Sequence, residues 1–466
     1  MRTLKKLHVT VFGLGLHGGG VSACKFCVAQ GAHVTVTDLK TEHDLQKSLS
    51  QLKDLPIRYV LGTHKRRDFS CADIVIKNAA IATDHPLLRS AKWIESDLSL
   101  FFRFVHPETF VVTGSKGKSS TAALMHFILS RLYSHTYLAG NIGLSPLDLL
   151  YKKLPVNKLV LELSSFQIED LYRIKKQKLV NTLPIIFQQP LKLNISTITF
   201  TNIYPDHMNR YGNMQKYIGA KKKIFSFPCP IQIYNYDNHY CRTIAQKQNA
   251  NIFFFSKQQP TDKQTIVWSV GKRIWLKGEN KALPNKGFLT RPCTLSITCA
   301  ATAGLIAYGI PAHILITYLP QFTGIAHRME HLGTWKGRTF YNDTTASIPH
   351  ATYWGVKNFH QPVILITGGT DKNIDFSLFT DIAQKVKLIF LIEGSASKKI
   401  ASVLEHINYS FFGPYLSLDQ AFVEAWEHSK NKDIILFSPA SSSFEKYPNE
   451  FERGRHFRSL VHKLCM

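Results

Sequence analysis

At 466 residues the chain is longer than one ordinary domain, and 44% hydrophobic with 12% aromatic residues excludes a globally disordered or fibrous protein. The formal net charge is +25 at pH 7, yet the lysines are dispersed, with no basic tail and no basic–aromatic repeat. That leaves nucleic-acid binding as a background affinity rather than the main function, and a cytoplasmic enzyme handling several anionic substrates is also consistent with the charge.

No uninterrupted apolar run reaches the roughly 18 residues of a membrane span. The basic N-terminus leads into a strand and a glycine turn without a cleavage pattern, so a cytoplasmic protein is expected. Of eight cysteines, Cys24-Lys25-Phe26-Cys27 forms a lone C-x-x-C within a helical stretch. With no second pair at zinc spacing, these read as core residues.

In chain order, Leu7 to Phe12 reads as a buried strand. Gly13-Leu14-Gly15-Leu16-His17-Gly18 follows as a turn, then a helix to about Gln30. A second strand, His33 to Thr37, ends at Asp38. A glycine turn with an acidic residue closing the next strand outlines a dinucleotide-type fold and, taken alone, also suits a nicotinamide dehydrogenase. Ala72 to Ile76 is strand-like and leads to Lys77-Asn78-Ala79-Ala80. Asp97 to Phe102 reads as a helix before the linker at His106-Pro107.

The central stretch is Thr113-Gly114-Ser115-Lys116-Gly117-Lys118-Ser119-Ser120. An apolar run, Phe110 to Val112, precedes it. Thr121 to Leu132 follows, with apolar residues at helical spacing. Strand, glycine loop and helix together cradle phosphate, because curled backbone amides and the helix N-terminus point at the anion. Lys118 supplies a point charge, and Ser119 a hydroxyl for Mg²⁺. The full eight-residue pattern asks for glycine at 112, where this chain has Val112.

Lys158 to Ser165 reads as a buried strand carrying Glu162 at its far end, placed to bind Mg²⁺ or orient its water. Ser196 to Ile203 ends in Tyr204-Pro205-Asp206-His207, which brings His207 to the same strand-end face as either a structural residue or a ligand. Tyr217 to Phe225 reads as a helix whose Lys221-Lys222-Lys223 is by composition a solvated face. Arg173 to Asn194 reads as an inserted loop outside the core. Thr265 to Val270 and Arg273 to Leu276 read as a hairpin, and Leu295 to Tyr308 as an alanine-rich helix.

Beyond about residue 324, strands at Thr339 to Tyr341, Pro362 to Thr367, Lys387 to Ile392 and Asp433 to Phe437 alternate with helices at 375–385, 397–406 and 418–428. Polar clusters cap three strand ends: Asn342-Asp343, Gly368 to Lys372, and Ser438 to Ser443. The expected fold is α/β in three domains. A Rossmann-like domain spans 1–106, a central phosphate-loop domain 107–324, and a second Rossmann-like domain 325–466.

These motifs, with Gly140-Asn141-Ile142-Gly143, Leu161 to Gln167, Asp206 to Tyr211, Ala220-Lys221, His327-Arg328 and Phe451 to Gly454, resemble the Mur ligase family over nearly the whole chain. Within it they resemble the branch that adds glutamate to UDP-N-acetylmuramoyl-L-alanine. The resemblance implies an ATP-dependent amide ligase of peptidoglycan precursor synthesis working through an acyl phosphate. The implied cofactors are ATP and two Mg²⁺, and the implied partners are the two small-molecule substrates, in a monomer.

By the same resemblance Gly114 to Ser120, Arg328 and Asp343 bind ATP, and His327 joins them from the third domain. Ser119 and Glu162 hold one Mg²⁺ and His207 the second. Lys221 is the counterpart of a carbamylated lysine acting toward the metal. Leu16, His17, Asp38, Asn141 and Ser164 contact the UDP-linked substrate. Ser347, Lys372, Ser443, Phe444 and Phe451 contact glutamate.

The chain departs from the family at three places. Thr345 stands where a lysine is usual, which makes the glutamate enantiomer less secure, with D-glutamate the expected one. Leu295 to Cys299 lacks the two asparagines expected near adenine. Lys116 replaces an asparagine and adds charge at the phosphates. Open alternatives are an L-glutamate-adding variant, another Mur or folylpolyglutamate-type ligase, and a non-catalytic nucleotide-binding protein.

Overall fold

Strands β1 (His8–Phe12), β2 (His33–Asp38), β3 (Ile57–Leu61), β4 (Ile74–Lys77) and β5 (Ile94–Glu95) pair in parallel, in the order β3-β2-β1-β4-β5. This computed structural model describes residues 3–465 except His17, Leu179, Lys272, 280–281, 284–293, Asn358, Lys372, Phe444 and the Asn209 side chain. The strand order reverses beside β1, so the glycine turn that follows β1 opens at the switch point where α/β sheets bind ligands. Cys24 and Cys27 lie buried in the Gly19–Ala29 helix, as read from the sequence. Burial holds the Cys27 thiol well above its usual range.

The second sheet has eight strands: β6 (Glu108–Thr113), β7 (Thr136–Gly140), β8 (Lys158–Glu162), β9 (Ile195–Phe200), β10 (Ile231–Asn235), β11 (Asn251–Ser256), β12 (Thr265–Val270) and β13 (Arg273–Leu276). Among the described residues their order is β13-β12-β11-β10-β9-β6-β8-β7, with only the β12–β13 hairpin antiparallel. Side chains alternate across it. Phe110, Val112 and Val160 pack in one core with the helices Lys118–Leu132 and Thr294–Tyr308, while Val111, Leu159 and Leu161 pack in the other. A parallel sheet covered on both faces needs such unbroken apolar runs.

Both sheets belong to one compact unit, Met1–Leu289 with Leu295–Phe322. Inside it, the Lys77 ammonium meets the Asp170 carboxylate at 2.8 Å, both side chains almost fully buried. The Gln177 amide accepts from the Ile94 N–H (2.9 Å) and donates to its carbonyl (2.7 Å). These bonds tie the end of the first sheet to the Ser165–Lys175 helix.

The segment 173–194 corrects a sequence expectation. It is not an insertion outside the core: Arg173 completes the Ser165–Lys175 helix, and Leu183, Phe187, Leu191 and Leu193 are buried. Phe187 lies 6.3 Å from the Trp93 ring, and the Arg103 guanidinium sits over it at 5.9 Å. The lysines at 175, 176 and 178 give the segment a polar start, but its apolar residues return to the core, Phe187 from a short 3₁₀ turn at Ile185–Phe187.

The second unit, Thr323–Met466, carries β14 (Glu330–Trp335), β15 (Arg338–Asn342), β16 (Val363–Gly368), β17 (Leu388–Ile392), β18 (Phe412–Tyr415) and β19 (Ile434–Phe437). The order is β14-β15-β19-β16-β17-β18, with β14 antiparallel at one edge. Leu365, Leu391 and Leu436 face one core, and Ile364, Ile366, Ile435 and Phe437 the other. Among the described residues no helix is long and apolar enough to cross a membrane.

Candidate active site

The phosphate loop leaves the carboxyl end of β6 and turns into the Lys118–Leu132 helix, with Gly117 at the N-cap in a left-handed conformation (φ 81°). Gly114 has φ 145°, and a Cβ there would stand 2.1 Å from Thr201 Oγ1, so only glycine fits. The first amides of the helix, Lys118 to Ser120, have no intrahelical acceptor and are the donors an anion would take.

The residues after β9 hold the loop. Asn202 accepts from Ser115 N–H through its carbonyl (2.9 Å) and from Lys116 N–H through Oδ1 (2.8 Å). Ser115 Oγ donates to the Tyr204 carbonyl and lies 3.0 Å from Tyr217 Oη. Neither Asn202 nor Tyr217 stands out in the sequence. The signal that could have found Asn202 is its place just past a buried strand neighbouring β6.

Glu162 ends β8, directly beside Val112 in the register. It is buried; Oε1 accepts from Asn141 Nδ2 at 3.4 Å, while Oε2 has no hydrogen-bond partner among the described residues. A buried carboxylate oxygen left unpaired is costly, and a cation beside it removes that cost. Ser119, also buried, follows Lys118 at the helix start. No three His, Cys, Asp or Glu side chains among the described residues form a metal cage. The donor set instead suits Mg²⁺, which takes one or two protein oxygens and draws the rest from phosphates and water.

Lys221 corrects the composition reading. Far from a solvated face, it is buried, and Nζ donates to the Gly114 carbonyl at 2.8 Å. The Met214–Lys222 helix packs that face inward, leaving Lys222 and Lys223 partly exposed. Burial, and then the nearby Lys118 charge, push the Lys221 ammonium well below its ordinary range, while Asp206 and Glu162 act in the opposite sense. His207 caps the short Met208–Tyr211 helix with φ 56°, its ring 4.9 Å from Phe166. Burial lowers its pKa, as do Lys118, Lys221 and Lys116, against the opposing Asp206. The neutral imidazole so favoured is the ligating form. Lys118, Glu162, His207 and Lys221 therefore share one electrostatic neighbourhood.

At the first sheet, Asp38 accepts from Gly15 N–H (3.1 Å) and Lys40 N–H (2.9 Å), fixing the glycine turn, and Leu16 is half-buried. His17 lies outside the described residues. Ser164 is the N-cap of the Ser165–Lys175 helix, its hydroxyl accepting from Gln167 N–H at 3.2 Å. Asn141 is exposed at the end of β7.

In the second unit, Asn342 Nδ2 lies 3.0 Å from His327 Nδ1 and donates to the Gly454 carbonyl at 3.1 Å. Ser443 is buried with an unpartnered hydroxyl among the described residues, Ser347 is half-buried, Arg328 is exposed, and the exposed Phe451 ring lies 6.0 Å from His327. Thr345 Oγ1 donates to the His327 carbonyl at 3.0 Å, so this side chain is committed to the backbone. Lys372 and Phe444 lie outside the described residues. Sequence reasoning missed the organising role of Arg453, which is buried and donates to Thr344 Oγ1 and to the carbonyls of Thr344, Ser441 and Ser442.

Asp343 is buried, accepting from Met329 N–H (3.1 Å) and Ser438 Oγ (2.9 Å). Burial raises its pKa to about 7, whereas an unfolded aspartate ionises near pH 4, at about 3.9. The folded unit thus holds the proton between those values, and stability falls as pH rises from about 4 to about 7. Asp343→Asn is expected to remove that component. The melting temperature of the variant should gain on the parent by about 3 °C or more between pH 5 and pH 8. Parallel curves in calorimetry across that range would contradict the assignment.

Residues 112–275 match the Mur ligase middle-domain family, and residues 7–97 the Mur ligase MurD-like N-terminal domain. The chain is 37% identical over 470 residues to the UDP-N-acetylmuramoylalanine--D-glutamate ligase of Borreliella afzelii, covering 99% of each chain. It is 31% identical to the ligase of the same name from Treponema pallidum, covering 97% of each. Among solved structures it resembles MurF from Acinetobacter baumannii with a TM-score of 0.57 at 17% identity, covering 93% of this chain and 90% of that one. A pseudomurein peptide ligase from Methanothermus fervidus gives a TM-score of 0.55 at 15% identity, covering 98% and 100%.

Proposed function

The chain belongs to the Mur ligase family, and from that premise we propose that it joins D-glutamate to UDP-N-acetylmuramoyl-L-alanine at the expense of ATP, in peptidoglycan precursor synthesis. The observation that carries this is the 37% identity to a D-glutamate ligase over 99% of both chains. The unpaired buried Glu162 oxygen near the phosphate loop supports it. The reading includes domains at 1–106, 107–324 and 325–466, and a monomer working in the cytoplasm.

The substrate carboxylate attacks the γ-phosphorus, ADP leaves, and an acyl phosphate forms. The amine of D-glutamate, as the free base, then attacks the acyl carbon, and the tetrahedral adduct loses a proton from nitrogen and expels phosphate to give the amide. Activation is needed because a carboxylate has no good leaving group. Charge gathers on phosphoryl oxygens in the first step, so fixed positive groups at those oxygens lower the barrier. The loop amides and Lys118 hold the triphosphate. Glu162 and Ser119 would hold one Mg²⁺, and His207 with a carbamylated Lys221 a second; the ions supply further neutralisation of phosphate charge. Asp38 and Leu16 hold the UDP end, with Asn141 and Ser164 nearer the reacting acyl group. In the second unit, His327, Arg328 and Asp343 serve ATP, and Ser347, Ser443 and Phe451, with Lys372 and Phe444, serve glutamate.

Phosphate release measured with D- and L-glutamate side by side tests the reading. Release is expected only when ATP, UDP-N-acetylmuramoyl-L-alanine and D-glutamate are all present. Equal or faster release with L-glutamate overturns the enantiomer, and none with either overturns the ligase.

A further inference from the structure

We propose that Lys116 is an exchangeable phosphate-binding cation, paired with Asp206 and able to leave it for a triphosphate, supplying part of the charge neutralisation otherwise left to Mg²⁺. This rests on the reading of the loop as an ATP site and deepens it.

The root of Lys116 is fixed. Its N–H donates to Asn202 Oδ1 at 2.8 Å, and its carbonyl accepts from Asn202 Nδ2 (3.0 Å) and Thr201 Oγ1 (2.7 Å). The apex of the loop is thus pinned to the segment leaving β9. The side chain is not pinned: it is 56% exposed, with its ammonium 3.3 Å from Asp206 Oδ2.

The two other lysines of the site are engaged differently. Lys118 Nζ donates to the Ser115 carbonyl at 3.0 Å, and the buried Lys221 Nζ to the Gly114 carbonyl at 2.8 Å. Both brace the loop itself. Lys116 instead reaches across its mouth to a side chain beside His207, close enough for its charge to act on that imidazole. An ion pair this exposed is weak. A triphosphate brings several negative charges to the same mouth and competes readily with one carboxylate. Asp206 stays in place after the exchange, because its other oxygen accepts from His207 N–H at 3.1 Å. The exchange therefore adds a cation to the phosphates and frees a carboxylate beside His207.

Calorimetric titration of the full chain with ATP, in excess chelator and in saturating Mg²⁺, tests this on the parent, Lys116→Gln, Lys116→Arg and Asp206→Asn. Lys116→Gln should weaken metal-free ATP binding about tenfold, the worth of one hydrogen bond to a charged group. Its loss with Mg²⁺ should be clearly smaller. Lys116→Arg should restore metal-free binding, and Asp206→Asn should tighten it. The two Lys116 variants should melt with the parent, since that side chain is exposed, and Asp206→Asn keeps an oxygen able to accept from His207 N–H. Unchanged metal-free affinity in Lys116→Gln overturns the inference, as does an equal loss in both conditions. A parent that binds ATP only with Mg²⁺ overturns it too, while leaving the ligase reading intact. A parent that binds ATP in neither condition overturns both.

Discussion

Lys118→Ala is expected to cut phosphate release by about 10³-fold or more while leaving the fold in place. The ammonium stands at the first residue of the Lys118–Leu132 helix, where the amides and the helix dipole already favour an anion. It donates to the Ser115 carbonyl at 3.0 Å. A γ-phosphoryl group in transfer carries charge on three oxygens, and a point cation fixed at the loop stabilises that charge without reorganising. The helix does not depend on the side chain: its N-cap is Gly117, its buried face is Ala122, Leu124, Met125, Ile128 and Leu129, and alanine is the best helix former. The melting temperature should therefore stay near that of the parent. Arginine should not restore activity, because a planar fork does not reproduce a compact ammonium at a curled loop. Normal turnover in Lys118→Ala would place the phosphates elsewhere.

The parts of this site that were legible in the sequence are those where backbone geometry demands a residue type. Gly114 and Gly117 could be read because close approach and positive φ require glycine, and Glu162 because a carboxylate closing a buried strand interrupts an apolar run. The Gly13 turn could be read as a binding edge but not assigned a ligand, since nicotinamide and uridine nucleotides use the same switch point. What stayed hidden depends on tertiary burial. Lys221 is indistinguishable from Lys222 by composition; the difference lies only in which helix face meets the loop. Asn202 acts through a loop distant in sequence. Strand β18 carries Gly413 and Pro414 within four edge residues, a composition that argues against a strand. Arg453 lies in the charged Glu450–Cys465 helix, and only packing against the Ser438 to Ser443 loop reveals it as an inward-facing residue.

Lys221→Ala is expected to lower turnover by roughly 10²–10³-fold, with partial rescue by small carboxylic acids such as acetate or formate. Carbamylation requires a neutral amine to attack carbon dioxide, and an ordinary lysine is almost entirely charged near pH 7. Burial and the Lys118 charge shift Lys221 well toward the neutral form. The modification would turn a cation beside Lys118 into an anion beside it, relieving a repulsion and adding a carboxylate where Glu162 and His207 already gather. Truncation also leaves the Gly114 carbonyl without the 2.8 Å bond from Nζ and opens a cavity, so some stability is lost as well. Lys221→Met fills most of that volume and separates the two effects, since it should remain folded and inactive. Acetate should then rescue the alanine variant, which has room for it, and not the methionine variant. Depleting carbon dioxide should slow the parent enzyme and leave both variants unaffected. Full parent activity without carbon dioxide, with no rescue of the alanine variant, would make Lys221 a brace for the phosphate loop rather than a source of a carboxylate.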